Sequence, residues 1–297
     1  MPHTSLRHSN RSAQFLNIHL KLLSVVDDLL KRKSMINLTF ICAGNTPGAP
    51  LAEVYKNAAK RFADTYKAFP AGFSHRLVLV NSNNGLTPEI SAFFEGVLYD
   101  TITYRGSGWD IGAHQFAALT MPPEDWIMCF SSWAYFRQEG WLRAFVEARK
   151  IHGDALYGST ASFENNPHIR GTGFFVRCER MHRYPHGVNS RDESFEFESG
   201  PDSLTQWCIR QGYGAWLVTP QITVGPEHFR VPDKIFRRED QSNIYTYDKH
   251  TDAFENSSEE KKLKLASLAD GTWQVKKYSA RLAYSWLSGL VKKAGIN

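Results

Sequence analysis

Four short segments in the first half of the chain collect residue types that hydrogen-bond small polar ligands. They are Gly44-Asn45-Thr46, Asn81-Ser82-Asn83, the glycine-rich run 106–112 and Ser131-Ser132. Glycine lets a ligand approach the backbone, while amides and hydroxyls both donate and accept, as a base, a ribose and sugar hydroxyls require. Any one of these segments also makes an ordinary turn. Four in succession, each closing an apolar run, describe the rim of a ligand site.

The spacings exclude several alternatives. The glycines of 106–112 are Gly106, Gly108 and Gly112, so the third comes one residue too late for the GxGxxG turn of dinucleotide-binding domains. No acid closes the next apolar run to hold a ribose, because that run ends in Ser131-Ser132. A phosphate loop of the Gly-x4-Gly-Lys-Ser/Thr kind is absent. The four cysteines, Cys42, Cys129, Cys178 and Cys208, are far apart among apolar neighbours, which reads as buried free thiols rather than zinc ligands or disulfides. His182 and His186 stand four apart, but Pro185 interrupts the helix that would pair them on a metal.

The elements that must position the rim follow from the apolar pattern. Residues 35–42, 76–80, 99–104 and 126–130 read as strands, and 51–69, 88–94, 113–119 and 140–150 as helices between and after them. In the first helix Leu51, Val54, Ala58, Phe62 and Tyr66 form the expected inward stripe. Beyond these, 155–157 and 173–177 read as strands around a polar loop at 165–168. Residues 184–201 read as a turn-rich acidic stretch, 204–211 as a helix and 215–218 as the last strand. Alternating strands and helices predict an α/β fold with a mostly parallel, Rossmann-like sheet flanked by helices. Ligands of such sheets bind outside the carboxyl ends of the strands, where all four segments fall. Residues 1–34 form an expected N-terminal helical extension, 35–230 the catalytic domain and 231–297 a C-terminal extension.

The order of these pieces resembles the GT-A glycosyltransferases, most of all the family 2 type and related bacterial enzymes that assemble rhamnan and other surface polysaccharides. The resemblance is carried by Gly108-Trp-Asp-Ile-Gly112, Trp126-Ile-Met-Cys-Phe-Ser-Ser132, His168-Ile-Arg-Gly-Thr-Gly-Phe-Phe175 and Phe197-Glu-Ser-Gly-Pro-Asp-Ser-Leu204, up to Gly212-Tyr213. It implies a GT-A sheet, a nucleotide-diphosphate sugar donor and a glycan or lipid-linked glycan acceptor. In that family the fourth strand ends in a DxD-type pair holding Mn²⁺ or Mg²⁺ against the donor. Here Ser131-Ser132-Trp133 stands in its place, and serines do not replace two carboxylates as hard-cation ligands. The resemblance therefore implies either metal-independent transfer, with cations and backbone amides meeting the phosphates, or a degenerate protein that binds without catalysing. His168 and Arg170 are the nearest cationic candidates; otherwise both are exposed loop residues.

An inverting transferase of this kind needs a carboxylate at the acceptor hydroxyl. The family places it just ahead of a helix ending in Gly-aromatic, a position held here by Glu198 and Asp202. Glu198 is the favoured base, with Asp202 binding acceptor or capping the helix. Asp110 is a substrate-binding or loop-fixing acid, and Trp109, Trp133 and Trp207 are either stacking platforms or core. A sugar-phosphate nucleotidylyltransferase shares the α/β plan, but residues 44–50 lack the basic residue expected of its first loop.

The net charge of +5 is confined to the end of the chain. Lys276, Lys277, Arg281, Lys292 and Lys293 follow Gly271 with no acid among them, so the rest is near neutral and offers no nucleic-acid face. Val275, Tyr278, Leu282, Trp286 and Leu290 make one helical stripe within 272–294, which fits either a helix lying on anionic lipid or one packed on the domain. With no apolar run near the roughly 18 residues of a spanning helix, the expected location is the cytoplasm, peripheral at the inner membrane face.

Overall fold

The computed structural model describes residues 34–44 and 52–272. The expected N-terminal extension and the basic stripe fall outside them, apart from Ser34 and Thr272, as do the rim residues Asn45 and Thr46. Within the described residues, 35–44 and 52–272 belong to one compact unit.

Strand β1 (Ile36–Ala43) is buried along almost its whole length, as a central parallel strand covered on both faces is, with Ile36, Leu38, Phe40 and Cys42 on one face and Asn37, Thr39 and Ile41 on the other. Its polar side chains are satisfied internally. Asn37 donates to Asp125 and accepts from Arg76, and Thr39 meets His114 Nδ1 at 3.1 Å. β1 pairs in parallel with β2 (Arg76–Ser82), which pairs with β3 (Tyr99–Tyr104); on its other side lies β4 (Trp126–Phe130). The chain leaves the sheet at β5 (Tyr135–Phe136) and returns at β6 (Leu156–Gly158). A small pair, β7 (Ala161–Ser162) with β8 (His168–Ile169), precedes β9 (Gly173–Arg177), which runs antiparallel between β6 and β4. β10 (Ala215–Val218) lies parallel to β6, and β11 (Thr223–Val224) closes that edge antiparallel.

The resulting order is β11-β10-β6-β9-β4-β1-β2-β3. β1, β2, β3, β4, β6 and β10 run one way, with β9 and β11 against them, so the sheet is mostly parallel as expected. Residues 215–218 are not its last strand, and His168 lies in a strand rather than a loop.

Helices cover both faces. α1 (Ala52–Ala68) and α2 (Pro88–Ala92) pack on one side, α3 (Trp109–Leu119) on the other, and α4 (Trp141–His152) returns to the first. In α1 the inward residues are Ala59, Phe62 and Ala63, with Phe62 stacked on Phe40 at 3.8 Å between ring centroids; Val54, expected in the stripe, is exposed. The α3 face then receives α5 (Cys178–Arg183), α6 (Arg191–Ser199) and α7 (Leu204–Arg210). α6 occupies the stretch read as turn-rich. Its start is fixed by two side chains: Ser190 accepts from the Glu193 N–H at 3.2 Å, and Glu193 accepts from the Asn189 N–H at 2.6 Å.

Past the sheet, β12 (Thr246–Tyr247) pairs antiparallel with β5 and leads into α8 (Lys249–Glu255) and α9 (Glu259–Ala269). Asp248 caps α8 in a reciprocal box with Thr251. Tyr135 clamps this segment onto α1, its ring under the Arg61 guanidinium at 3.2 Å and its hydroxyl donating to Asp252 at 2.5 Å. Among the described residues no helix is long and apolar enough to cross a membrane.

Candidate active site

The chain builds β1, β2 and β3 outward in one direction, then crosses back to place β4 on the other side of β1. This reversal is the topological switch point of the sheet, where the loops after β1 and β4 diverge and leave a crevice. A cleft of about 280 Å³ opens there. Ser131, Ser132 and Trp133 from the end of β4 form its floor; Tyr55 of α1, the start of α3, the β8–β9 turn, α6 and the start of α8 form its walls.

Asp110 ties two of these elements together. Its Oδ2 accepts from the Ser132 N–H at 2.7 Å and the Ser132 hydroxyl at 2.8 Å, locking the first turn of α3 to the end of β4. Desolvation pushes its carboxyl up, while the two Ser132 hydrogen bonds and the nearby Lys249 charge pull it partly back. The loop-fixing contact expected of Asp110 is thus present, and the residue also lines the cleft. Trp109, just before it, adopts a left-handed backbone at φ 53° and leaves its indole about half exposed at the cleft mouth.

Glu198 reaches the cleft from the last turn of α6. One oxygen, Oε1, accepts from the Gly171 N–H at 2.7 Å, and no other hydrogen bond to this carboxylate is seen among the described residues. The carboxylate is therefore aimed by the backbone, with Oε2 left for a ligand.

Arg170 lines the same wall but is buried rather than exposed. Its Nη2 donates to Asp248 Oδ2 at 3.1 Å, and its guanidinium lies over the Phe236 ring at 3.8 Å. Asp248 also accepts from the Thr172 hydroxyl at 2.5 Å and from the N–H groups of His250 and Thr251. Burial alone would raise this carboxyl, but the Arg170 charge and these hydrogen bonds outweigh it and hold it well below the usual carboxylate range. Two exposed cations line the cleft, Arg191 and Lys249, the latter with Nζ 4.5 Å from the centre of the Trp133 ring. Trp133 in turn packs against Tyr55 at 5.3 Å between centroids.

The remaining expected residues lie elsewhere. His168 is buried beside the site, its Nδ1 bonded to the Asn166 carbonyl at 2.7 Å, and burial lowers its basicity. It is neither an exposed loop residue nor in the cleft. Asp202 faces away, exposed and ion-paired to Arg210 at 2.7 Å; the cap of α7 is Ser203. Asn81 accepts from the Leu86 N–H at 3.0 Å, and Asn83 donates to the Gly106 carbonyl at 3.1 Å, so both amides tie rim loops together. Gly44 has no space for a side chain, since a Cβ would run into the Asn83 carbonyl. Gly112 is packed against the Tyr104 hydroxyl and the Val188 carbonyl.

Sequence reading missed Tyr55, Arg191, Ser194, Phe195, Asp248, Lys249 and His250, all of which line the cleft. Ser190-x-x-Glu193 was a legible helix start for the α6 residues. Asp248-x-x-Thr251 marked α8, but nothing local says that α8 returns to the end of β4.

No protein-family model matches the sequence, and no curated protein matches it. Among solved structures, HddC from Yersinia pseudotuberculosis is similar at 11% identity, covering 52% of this chain and 83% of its own, with a TM-score of 0.35. The 4-diphosphocytidyl-2C-methyl-D-erythritol synthase from Anaerococcus prevotii is similar at 13%, over 55% and 84%, with a TM-score of 0.36. Mouse xyloside xylosyltransferase 1 is similar at 10%, over 62% and 84%, with a TM-score of 0.38. Likenesses this distant carry over no activity, so the function is read from the cleft itself.

Proposed function

We propose that this chain transfers a sugar from a nucleotide-diphosphate donor to a glycan or lipid-linked glycan hydroxyl, with inversion at the anomeric carbon. The observation that carries this reading is Glu198: a carboxylate aimed by the Gly171 N–H into a switch-point cleft whose facing wall bears Lys249. The Tyr55 and Trp133 rings, tilted 50° to each other, offer aromatic contact for the base. Glu198 Oε2 takes the proton of the acceptor hydroxyl as its oxygen attacks the anomeric carbon. The bond from that carbon to the diphosphate oxygen breaks, its electron pair leaves with the nucleoside diphosphate, and the Lys249 ammonium meets the growing negative charge.

The cleft does not fit the Mn²⁺ or Mg²⁺ that the GT-A resemblance implies. A hard cation wants several carboxylate or carbonyl oxygens free to converge. Asp110 Oδ2 is taken by Ser132, both oxygens of Asp248 are taken by Arg170, Thr172 and the α8 backbone, and Lys249 stands over Trp133 at the end of β4. The Lys249 charge, felt by Asp110, opposes a second cation there, and no step is assigned to a metal.

A thermal-shift panel of UDP, GDP, CMP and dTDP, each with EDTA or Mn²⁺, tests the donor half. Stabilisation by one nucleotide that survives EDTA supports the reading. Stabilisation only with Mn²⁺ overturns the assignment of Lys249, and no stabilisation favours a degenerate binding protein. We further propose that the catalytic unit ends near residue 230, with 231–297 as an extension whose Asp248–His250 segment completes the cleft and whose basic stripe at 272–294 rests on an anionic membrane surface. Equal binding to anionic vesicles by a chain cut after Asp270 would remove the membrane contact.

A further inference from the structure

Helix α6 presents Arg191, Ser194, Phe195 and Glu198 to the cleft, the i, i+3, i+4, i+7 positions of one helical face. Two aromatic rings of the cleft, one on α6 and one at the start of α3, stay open to solvent. Phe195 is 51% exposed, and Trp109 across from it is 49% exposed, although both are large apolar rings at the mouth of a polar cleft. Trp109 is moreover a bulky residue held at φ 53°, a conformation that such residues adopt only when the surroundings impose it. The imposing contact is visible: Ser194 donates to the Gly108 carbonyl at 2.8 Å and pins α6 to the start of α3. The two rings are thereby fixed relative to each other, with the Arg191 guanidinium between them, 5.0 Å from the Trp109 ring and 5.4 Å from the Phe195 ring.

We infer that Trp109, Arg191 and Phe195 form the acceptor platform, and that the acceptor they take is a pyranose of a glycan. This rests on the proposed transferase reading of the same cleft. A pyranose has an apolar face of axial C–H bonds and a rim of hydroxyls. The exposed ring faces match the first, and the guanidinium's fixed fork of donors matches the second. Glu198 lies three residues (~4.5 Å of helical rise) beyond Phe195 on the same face. A sugar lying on Phe195 therefore presents a rim hydroxyl to the carboxylate that is to deprotonate it. Tyr55 and Trp133 belong to α1 and to the end of β4 rather than to α3 or α6, so donor and acceptor do not compete for one platform.

The test uses the full chain and two separate readouts. Saturation-transfer NMR with methyl pyranosides of glucose, galactose, mannose and rhamnose reads the platform, and the nucleotide thermal shift reads the donor site. At least one methyl pyranoside is expected to receive saturation on its C–H face. Phe195→Ala and Trp109→Ala should weaken that binding at least tenfold while leaving the nucleotide shift unchanged. Phe195→Tyr, which keeps the ring, should retain it and guards against a folding defect. Equal saccharide binding in wild type and both alanine variants overturns the platform, as does a protein that binds nucleotide but none of the four sugars. Ring-dependent saccharide binding without any nucleotide shift leaves the platform standing and removes the donor reading instead.

Discussion

Replacing Asp248 by Asn removes the one negative charge that Arg170 contacts inside the cleft wall. Asp248 is 2% exposed and Arg170 8%, so the guanidinium would be left buried and uncompensated. Breaking a buried pair from one side costs about 3–5 kcal/mol. The neighbouring Arg237, already lowered by burial and by the Arg170 charge, makes the loss harder to absorb. Asn keeps most of the capping ability at the start of α8, so Asp248→Ala should cost about 1 kcal/mol more. At about 2–4 °C per kcal/mol for a unit of this size, Asp248→Asn is expected to lower Tm by roughly 6–20 °C in a calorimetric melt. The double variant Asp248→Asn/Arg170→Met removes both charges and keeps an apolar contact for Phe236, and should recover most of the loss. The pH dependence follows from the sign of the shift. The folded carboxyl lies below its ordinary 3.8, so its contribution is complete above about pH 4 and is lost as pH falls through the lower folded value. The difference between wild type and Asp248→Asn should accordingly be constant from pH 7 to 5 and shrink below pH 4. A Tm within 2 °C of wild type, or a double variant no more stable than the single one, would refute the account of this pair.

Three further outcomes are expected. Lys249→Met should weaken binding of the stabilising nucleotide about tenfold, near 1.4 kcal/mol, in a titration at low salt; unchanged affinity would remove Lys249 from the donor site. The four cysteines are buried and free, with Cys178 and Cys208 pushed up to about 12 by burial, so a thiol reagent should label none in the native protein and all four after denaturation. Gly44→Ala should destabilise the rim measurably, because the added Cβ meets backbone of Asn83 and Gly85 rather than a side chain that can move; a neutral melt would contradict the observed loop contact.

Much of the fold was legible because its signals are local. The run at β1 is a compact β-branched and aromatic stretch, and the breaks at Gly44, Asn81 and Gly106 fall at or near strand ends. What was misread depends on distant partners. α6 looked like an acidic turn because its inward residue Phe197 stands among Asp192, Glu193, Glu196 and Glu198, and only the Ser190 cap betrays the helix. Glu198 was legible by resemblance and favoured over Asp202 from the sequence, while the tertiary structure adds that one lines the cleft and the other pairs with Arg210. His168 and Arg170 were read as cations for the donor phosphates or else as exposed loop residues, because nothing nearby in sequence announces the Asp248 and Phe236 that cover Arg170. The glycines of 106–112 looked like a ligand loop, yet Gly106 and Gly112 chiefly make room for the Tyr104 ring and hydroxyl.

The central claim is that Glu198 deprotonates the nucleophile in a metal-independent sugar transfer. It is tested most directly by release of nucleoside diphosphate from a panel of nucleotide sugars in EDTA, with water standing in for the acceptor. Wild type should cleave one donor of the panel, Glu198→Gln should do so about 10²–10⁴-fold more slowly, and Asp202→Asn should match wild type. Turnover by Glu198→Gln at the wild-type rate, or turnover that appears only when Mn²⁺ is added, would contradict it.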